Sequence, residues 1–351
     1  MSPSPLIAPA IDPTPIFEAF RGNHATELLT AAVAHLNVFG RLAGGAAPSE
    51  ALRHELGLSE RAAVVLFTSL KAMGLIEGDA QDRLAVTPLA REHLTPGGEF
   101  YVGDYIGLAA GAPGVLAMVE RLRSSRPAGA EPGEVGAAFI YREGIRSAMD
   151  QEESARHLTL SLAGRGKNVA PLLAERVPLN GAKLLVDVGG GSGIYSVAYL
   201  RKHPNLRAVV WDRPEVLKVA DEFARQYGVA DRLECLPGDM FADPLPAGAD
   251  AVLLSNILHD WDLPECQRLV SRCGHALPPG GRLLIHDVFL NDAHDGPLAI
   301  ALYSASLFSL TEGRAYSAAE FRQMLSAAGL RPAKEIVPTL IHCGVLEGVK
   351  S

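Results

Sequence analysis

The stretch LLVDVGGGSGIYS, Leu184 to Ser196, sets the architecture of this chain. An apolar run ends in an acid, Asp187, and three consecutive glycines follow it, with a fourth glycine after one serine. A strand, a glycine-rich turn and a helix in this order form a nucleotide-type site, where the ligand lies beyond the carboxyl end of the strand and against the helix N-terminus. Glycines suit such a turn because they let the backbone approach a ligand closely. The stretch therefore predicts a ligand site at the carboxyl edge of a sheet.

The spacing of the glycines separates two classes of cofactor. The dinucleotide pattern G-x-G-x-x-G fails, because counting from Gly189 reaches Ile194 at the third glycine position and counting from Gly190 fails earlier, at Ser192. An NAD-dependent oxidoreductase is therefore disfavoured. The pattern that fits is D-x-G-x-G-x-G, formed by Asp187, Gly189, Gly191 and Gly193. It resembles motif I of the class I S-adenosylmethionine (SAM) methyltransferases; a glycine turn that binds nothing is the alternative.

The segments around the turn predict the rest of an α/β sheet. From Lys183 onward, apolar strand patterns alternate with helical ones, as in RAVVWD, ADAVLLSN and RLLIHDVF. Such alternation predicts a parallel sheet with helices on both faces. The resemblance to motif I implies that this is the Rossmann-like sheet of the class I SAM methyltransferases. The tail EIVPTLIHCGVLEGV (335–349) predicts two more strands, which would close the sheet with an antiparallel edge.

Residues 16–95 predict a separate, mainly helical domain. The segment SERAAVVLFTSLKAMGLI begins with Ser59 as a candidate helix cap, and IEGDAQDRLAVT then predicts a hairpin, so that helices and a two-stranded wing form a winged-helix pattern. A DNA-reading helix needs polar and basic residues, but this one offers only Arg61 and Lys71 around an apolar middle. An apolar surface suits a second copy of the chain, so the pattern favours a homodimerisation domain over a transcription regulator.

The remaining segments and the composition complete the predicted organisation. Residues 1–15 are predicted to be a disordered, proline-rich leader, residues 96–180 a helical connector that contributes to the substrate pocket, and residues 181–351 the catalytic domain. The net charge of −8 disfavours a nucleic-acid partner. The chain lacks a signal-peptide pattern and any apolar run near the roughly 18 residues of a membrane span, so we expect a cytoplasmic protein with no membrane partner. Its four cysteines are scattered without metal-site spacing, which predicts reduced thiols and no bound metal.

Two further acids stand after the next strands. Asp212 ends the strand RAVVWD about twenty residues past the turn, where an acid accepts both hydroxyls of an adenosine ribose. The segment PGDMF follows the third strand, and within it we assign Gly238, Asp239 and Met240 to the cofactor site. Asp239 is in place to accept from the adenine amino group and Met240 to pack on the ring; a turn or capping role is the alternative for Asp239.

The stretch SNILHDWD, Ser255 to Asp262, follows the fourth strand and makes a family resemblance specific. The combination DVGGGSG…D…GDMF…HDWD…PPGGRLLIHD resembles the small-molecule O-methyltransferases related to plant caffeate and flavonoid enzymes and to acetylserotonin methyltransferase. Bacterial relatives in that family modify polyketides and other secondary metabolites. The resemblance covers almost the whole chain, strongly from Lys183 and more loosely before it, because the family also carries an N-terminal winged-helix dimerisation domain.

The resemblance implies a catalytic histidine at His259. It would take the proton from a substrate hydroxyl as the oxygen attacks the sulfonium methyl in line, since an imidazole with a pKa of about 6.5 is a suitable base at neutral pH. The family orients this histidine with two acids. Asp287 matches the first, one methylene shorter than the usual glutamate; Ala315 stands at the place of the second, and Glu312, three residues earlier, leaves a second acid open. His286 alternates to the other face of the strand and receives no catalytic role.

Other positions are assigned to the cofactor and the acceptor. The family's lysine or arginine four residues before the histidine is replaced by Ser255, so the cation is missing there and the serine is left to bond the cofactor through its hydroxyl or backbone. Trp261 resembles the family's tryptophan beside the adenine, with core packing as the alternative. The residues assigned to the acceptor pocket are Met149, Asn256, and Ser306 and Leu310 of the helix ALYSASLFSL. The small residues of that helix would suit tight packing equally.

The sequence thus predicts a metal-free, SAM-dependent O-methyltransferase that acts on a hydroxyl of a small aromatic molecule and releases S-adenosylhomocysteine. Some members of the family keep SAM as a structural group and catalyse hydroxylation, decarboxylation or pericyclic chemistry, and the altered second acid and Ser255 leave this alternative open. The retained His259 and Asp287 argue against it. Also open are the atom that receives the methyl group (oxygen, nitrogen or sulfur) and whether a partner subunit lines the pocket.

Overall fold

The computed structural model describes residues 3–126 and 152–351, and these residues form two compact units. The first unit comprises the described residues of Met1–Phe17, Arg146–Phe289 and Ala318–Ser351, and the second those of Glu18–Ile145 and Leu290–Ser317. This division differs from the predicted boundaries at 95 and 180. The helix Glu152–Arg176 lies with the sheet rather than in a connector, and Leu290–Ser317 leaves the predicted catalytic range 181–351 for the helical unit.

The helices of the described residues, in chain order, are α1 (Thr14–Arg21), α2 (Asn23–Thr30), α3 (Val38–Arg41), α4 (Ser49–Leu56), α5 (Glu60–Ala72), α6 (Pro88–His93), α7 (Gly103–Gly107), α8 (Pro113–Ser124), α9 (Glu152–Arg176), α10 (Ile194–Lys202), α11 (Pro214–Gln226), α12 (Leu263–Ala276), α13 (Leu298–Leu310) and α14 (Ala318–Ala327). The strands are β1 (Ala47–Pro48), β2 (Ile76–Gly78), β3 (Arg83–Val86), β4 (Leu184–Val188), β5 (Arg207–Asp212), β6 (Leu233–Pro237), β7 (Ala251–Ser255), β8 (Arg282–Leu290), β9 (Tyr316–Ser317), β10 (Leu330–Pro332), β11 (Val337–Pro338) and β12 (Cys343–Lys350). A π-helical turn, Ala31–His35, precedes α3, and a 3-10 turn, Leu258–Asp260, follows β7.

The strands of the first unit form one sheet with the order β10-β12-β8-β7-β4-β5-β6, and β11 pairs with β12. Strands β6, β5, β4, β7 and β8 run parallel, while β12, β10 and β11 form the predicted antiparallel edge. The chain passes from β4 to β5 and β6 on one side and then to β7 on the other, so the strand order reverses between β4 and β7. In such sheets a ligand binds outside the carboxyl ends of the strands at that switch point.

The strands are apolar on both faces because helices cover both, as the class I fold predicts. Leu185, Val210 and Leu253 share one core with helices α9, α10 and α11. Their neighbours Val186 and Val252 are equally buried and, by the alternation of a strand, point to the opposite side. Helices α12 and α14 pack against each other and take no part in that core.

The second unit is mainly helical and is built around one apolar core. Ser59 caps α5 by accepting from the amide of Ala62 at 3.2 Å, as the sequence predicts. β2 and β3 form the predicted hairpin, and β1 pairs with the other edge of β3. Helix α13 is apolar on most of its surface and lies in this core beside α5, with Phe308 fully buried. That burial is the reason why the segment Leu290–Ser317 joins the helical unit.

Three further predictions concern the first residues of the chain, membrane-spanning helices and the cysteines. Residues 3–13, within the predicted disordered leader, contain no helix or strand, but Ser4 donates its amide to the carbonyl of Gln226 at 3.1 Å and Leu6 packs on the core of the first unit. The structure contains, in the ranges that it describes, no helix long and apolar enough to cross a membrane. The four cysteines are free thiols.

Candidate active site

The glycine turn after β4 leaves open space at one position. Gly191 has a φ of 60°, in the left-handed region, and a Cβ added to it would meet nothing within 4 Å. Gly189 and Gly193 share this left-handed backbone, but their surroundings differ, because a Cβ would come within 2.6 Å of Ile257 Cδ1 at the first and 3.1 Å of Val210 Cγ2 at the second. The protein itself therefore fills the space beside Gly189 and Gly193, and Gly191 faces the room that a ligand can use.

Asp187 lies beneath this turn rather than on its open side. It is fully buried, Ser196 donates its hydroxyl to Oδ2 at 2.7 Å, and Oδ1 has no partner among the described residues. Burial raises the pKa of Asp187 to about 7, against the lowering effect of Ser196. A Cβ on Gly190 would lie 2.7 Å from Cγ of Asp187. The acid of the motif thus supports the turn from the protein side.

Asp212 reaches the open side of the turn from the end of β5. Its Oδ2 accepts from the amide of Gly191 at 2.8 Å and its Oδ1 from the amide of Arg213 at 2.7 Å. Burial raises the pKa of Asp212, while these two amides oppose the rise because they favour the ionised form. Each carboxylate oxygen keeps a second lone pair. The side chain can therefore accept from two vicinal hydroxyls placed over Gly191.

The segment after β6 combines turn formation with packing. Asp239 Oδ1 accepts from the amide of Phe241 at 2.8 Å, and its Oδ2 lies 3.4 Å from Nη2 of Arg213. The local turn, which the sequence left as an alternative, therefore uses one oxygen of Asp239. Gly238 must be small because a Cβ would lie 2.1 Å from Nε1 of Trp211. Met240 approaches the glycine turn, since its sulfur lies 4.0 Å from the point where a Cβ added to Gly189 would lie.

Trp261 lies in the interior beside the same segment. It is 7% exposed, and its ring meets Phe241 edge to face at 4.7 Å between centroids. Arg268 of α12 donates to the carbonyl of Phe241 at 2.7 Å. Trp261 therefore packs in the core, which was the alternative role for it, and it also lies next to the segment predicted to bind adenine.

His259 and Asp287 form a buried pair. His259 lies in the 3-10 turn after β7 and is 4% exposed, and Asp287 lies on the neighbouring strand β8 and is 1% exposed. Nδ1 of the imidazole donates to Asp287 Oδ1 at 2.5 Å, and the amide of Val288 donates to the same oxygen at 2.8 Å. A carboxylate that accepts the Nδ1 proton fixes the tautomer whose lone pair is on Nε2. The sequence-predicted pair is therefore brought together by adjacent parallel strands.

The charge around His259 comes from three elements. Burial lowers the pKa of His259, but Asp287 and Asp260, the latter with Oδ1 3.6 Å from Nε2, raise it, and the net shift is upward. Burial raises the pKa of Asp260 to about 6. Arg165, on helix α9, acts in the opposite sense on His259 because its positive charge disfavours the imidazolium.

Arg165 is the functional candidate that sequence reasoning missed. The sequence indicated that no cation replaces the family's lysine at Ser255, but Nη1 of Arg165 donates to Asn256 Oδ1, the next residue, at 2.8 Å. Ser255 itself bonds His286 Nδ1 through its hydroxyl at 2.8 Å, and His286 Nε2 bonds Thr339 Oγ1 at 3.1 Å. Only the segment GRGK within a long helical pattern marked the arginine, and no local spacing links it to the strand ends.

The remaining predicted residues lie on the second unit or outside the described ranges. Ser306 is half-buried and Leu310 is exposed, both on α13, while Glu312 is buried and Ala315 donates its amide to Ser304 Oγ at 3.0 Å. Met149 lies outside the described residues. Within the described ranges, no group of three or more His, Cys, Asp or Glu side chains is arranged to hold a metal ion.

Comparison with known proteins identifies the family to which this chain is similar. Residues 141–331 match the O-methyltransferase domain family. The chain is similar to a 3-hydroxy-5-methyl-1-naphthoate 3-O-methyltransferase of Streptomyces sahachiroi, with 35% identity over 342 residues that cover 97% of this chain and 96% of the relative. A crystal structure of an O-methyltransferase family 2 protein from Planctomyces limnophilus in complex with apigenin is 49% identical, with a TM-score of 0.90 and 100% of both chains covered. Human N-acetylserotonin methyltransferase in complex with SAM shares the fold, at 22% identity and a TM-score of 0.58 over 96% of both chains.

Proposed function

This chain belongs to the O-methyltransferase family, and on that basis we propose that it moves the methyl group of SAM to a hydroxyl of a small aromatic molecule, with His259 as the general base. The observation that carries the proposal is the bond of 2.5 Å between His259 Nδ1 and Asp287, at the carboxyl ends of two adjacent strands. Ile257, two residues before His259 in the chain, packs on Gly189 of the glycine turn.

Asp287 prepares His259 for the role of a base. Because the carboxylate accepts the Nδ1 proton, the lone pair of the neutral ring is on Nε2, which can take the hydroxyl proton. The imidazolium that then forms is stabilised by Asp287 at 2.5 Å and by Asp260 at 3.6 Å. These charges outweigh burial and hold the pKa of His259 above its ordinary value, so the ring accepts a proton readily at neutral pH.

The residues at the switch point fit a SAM molecule. When bound, SAM supplies an electrophilic methyl group on a sulfonium centre. Asp212 keeps one lone pair on each oxygen for the two ribose hydroxyls, and Gly191 leaves room above it. Met240 lies in the segment assigned to the adenine, and Trp261 packs against Phe241 of that segment. An acceptor held in line beside such a site can gain about 7–11 kcal/mol from alignment alone.

The acceptor is proposed to be a hydroxylated aromatic molecule. The Streptomyces relative is named for a hydroxynaphthoate, and the Planctomyces structure is a complex with apigenin. A phenol, with a pKa of about 10, becomes a strong nucleophile when a base takes its proton. Ser306 and Leu310 remain the residues that we assign to the acceptor on α13.

A homodimer through the helical unit is part of the proposal. Large apolar side chains on this unit are exposed, among them Leu89, Phe100, Tyr105 and Leu108. A second copy of the chain is the partner that such surfaces suit. Light scattering of the purified protein should give twice the chain mass. A cytoplasmic location without nucleic-acid or membrane partners stays a prediction of the sequence.

The test compares His259→Ala with His275→Ala. His275 is an exposed histidine of α12 that bonds only Ser271 of its own helix among the contacts described, so it is a matched control. SAM affinity is measured by calorimetry, and transfer of a labelled methyl group is measured with hydroxynaphthoates and flavones as acceptors. We expect His259→Ala to keep its SAM affinity and to lose about 10²–10⁴-fold in kcat, with His275→Ala unchanged.

Three outcomes would contradict parts of the proposal. Full turnover by His259→Ala would remove the histidine from the mechanism. Failure of the unmodified protein to bind SAM would refute the cofactor assignment. SAM binding without methyl transfer to any hydroxylated acceptor would favour a family member that keeps SAM as a structural group.

A further inference from the structure

We propose that Arg165 is a positioning residue of the active site, which fixes Asn256 at the end of β7 and thereby sets the course of the turn that holds His259. The inference deepens the proposed function and rests on His259 as the base. It assigns a role to a residue of helix α9, which supplies none of the motifs at the strand ends.

Asn256 is the point at which the chain leaves the sheet. Its amide still donates to the carbonyl of His286 at 2.8 Å, as a strand residue would, but its φ is 57°. The 3-10 turn with His259 begins only two residues later, at Leu258. A left-handed conformation is disfavoured for every residue with a Cβ, and asparagine tolerates it best. The direction of the catalytic turn therefore depends on how firmly this one residue is held.

Arg165 holds the side chain of Asn256 and joins it to a second strand. Nη1 donates to Asn256 Oδ1 at 2.8 Å, and Nη2 donates to the sulfur of Cys343 at 2.9 Å. Cys343 begins β12 and pairs in register with Val288, the residue after Asp287. On its other side, the Asn256 amide group donates to Ser255 Oγ at 3.1 Å and lies 3.4 Å from Tyr195 Oη. The guanidinium thus connects α9, the turn after β7 and the strand beside the orienting acid.

The sequence next to Arg165 explains why a helix can reach this place. Residue 166 is glycine, and a Cβ there would lie 2.6 Å from Cγ2 of Ile194, the first residue of α10. Any larger residue would push α9 away from α10. The pair Arg165-Gly166 therefore combines the close approach of the helix with the long side chain that uses it.

The charge of Arg165 acts on the same turn. Among the described residues, the charged groups that shift the pKa of His259 are Asp287 from β8, Asp260 from its own turn and Arg165 from α9. His286, on the adjacent position of β8, adds no charge at neutral pH, because burial and then Arg165 lower its pKa to about 3. Arg165 is thus the only cation among these groups, and it offsets part of the effect of the two acids. Its loss should make His259 easier to protonate.

The experiment uses Arg165→Met and Arg165→Lys, with Arg156→Met as the matched control. Arg156 is an exposed arginine of the same helix and bonds Glu222 at 2.7 and 2.9 Å. For Arg165→Met we expect kcat to fall about 10- to 100-fold through misplacement of the base, with SAM affinity unchanged. The acid limb of its pH–rate profile should move to higher pH. Arg165→Lys keeps the positive charge, so the acid limb of its pH–rate profile should stay at the same pH, while kcat should fall less than in Arg165→Met. Arg156→Met should have the kcat and the pH–rate profile of the unmodified enzyme.

A double-mutant cycle with Asn256→Gly tests the route of the effect. Glycine adopts a φ of 57° without strain but offers no amide to Arg165. If Arg165 acts through Asn256, adding the arginine substitution to Asn256→Gly should reduce kcat little further. Melting curves check that each variant is folded, and Arg165→Lys replaces Arg165→Met in the cycle if the latter does not fold.

Distinct results overturn the inference. Unchanged kcat and pH profile in folded Arg165→Met would refute it, as would fully additive losses in the cycle. A large loss of SAM affinity with unchanged kcat would make Arg165 a cofactor ligand instead. Normal turnover by His259→Ala would contradict the proposed function itself, which separates that failure from the failure of the role of Arg165.

Discussion

Replacing Asp287 by asparagine removes the charge of the orienting acid and keeps its shape. Oδ1 of Asp287 accepts from His259 Nδ1 at 2.5 Å and from the amide of Val288 at 2.8 Å. An asparagine has nearly the same volume, and its carbonyl oxygen can accept both bonds. The side chain is 1% exposed, so water cannot replace the lost charge. The substitution therefore tests the electrostatic part of the pair.

The loss acts on His259 in two ways. In the free enzyme, burial lowers the pKa of His259 and Asp287 is the largest charge that raises it, so the pKa falls in the variant. Because the base works when neutral, the acid limb of the activity profile moves to lower pH. In the transition state, the forming imidazolium loses its counter-charge. Hydrogen bonds to charged groups contribute about 1.5–3 kcal/mol and neutral ones about 0.5–1.5 kcal/mol, so a loss of about 1–2 kcal/mol, or about 5- to 30-fold in kcat, is expected.

The assay is the pH–rate profile of methyl transfer at saturating SAM. The control is Asp250→Asn, because Asp250 accepts from the amides of Lys183 at 2.7 Å and Leu184 at 3.0 Å, at the opposite end of β4 from the site. The control should leave the acid limb in place. A slower Asp287→Asn enzyme whose plateau extends to lower pH supports the reasoning. An unchanged kcat, or a limb that moves to higher pH, refutes it.

Two more substitutions test neighbouring parts of the site. Gly191→Ala adds a methyl group to the space above Asp212 and should weaken SAM affinity, measured by calorimetry, at least about tenfold. The control is Gly280→Ala, before β8, because Gly280 has a φ of 78° and equally open surroundings, so the substitution causes a similar backbone strain of about 1–2 kcal/mol. Gly280→Ala should leave SAM affinity unchanged. Equal affinity in both variants would place the ligand elsewhere. Asp260→Asn should move the acid limb to lower pH by less than Asp287→Asn does, because Asp260 lies 3.6 Å from Nε2 whereas Asp287 lies 2.5 Å from Nδ1. A larger shift than that of Asp287→Asn would reverse the assigned order of the two acids.

The parts of the site that follow strand ends could be predicted from the sequence. Asp187 lies near the end of β4, Asp212 ends β5 and His259 lies in the turn after β7, and parallel strands bring their carboxyl ends to one edge of the sheet. The pairing of His259 with Asp287 was expected from the family resemblance, and the sheet brings the two side chains together because β7 and β8 are neighbours. Local pattern and the rule on strand ends account for the positions of Asp187 and Asp212.

Other features depend on packing that no local pattern encodes. Gly238 was assigned to the cofactor, but the side chain that requires a glycine there is Trp211, on the neighbouring strand. Arg165 reaches Asn256 across the sequence only because α9 packs closely on α10. The segment Leu290–Ser317 was predicted within the catalytic domain, since its apolar helix α13 matches a helix of an α/β fold as well as a buried helix of the other unit.

The interleaving of the two units along the chain has a consequence for biosynthesis. The core of the helical unit contains Phe39 and Leu66 from early in the chain and Leu302 and Phe308 from α13. The ribosome starts the helical unit at Glu18 but makes Arg146–Phe289 of the sheet unit before it makes α13, so the helical unit stays incomplete during that time. Until then its core lacks a helix and exposes apolar surface, which invites aggregation or capture by a chaperone. The last segment of the sheet, Ala318–Ser351, is made later still. A single cut in the chain therefore cannot separate the two units, and both units are completed only near the end of synthesis.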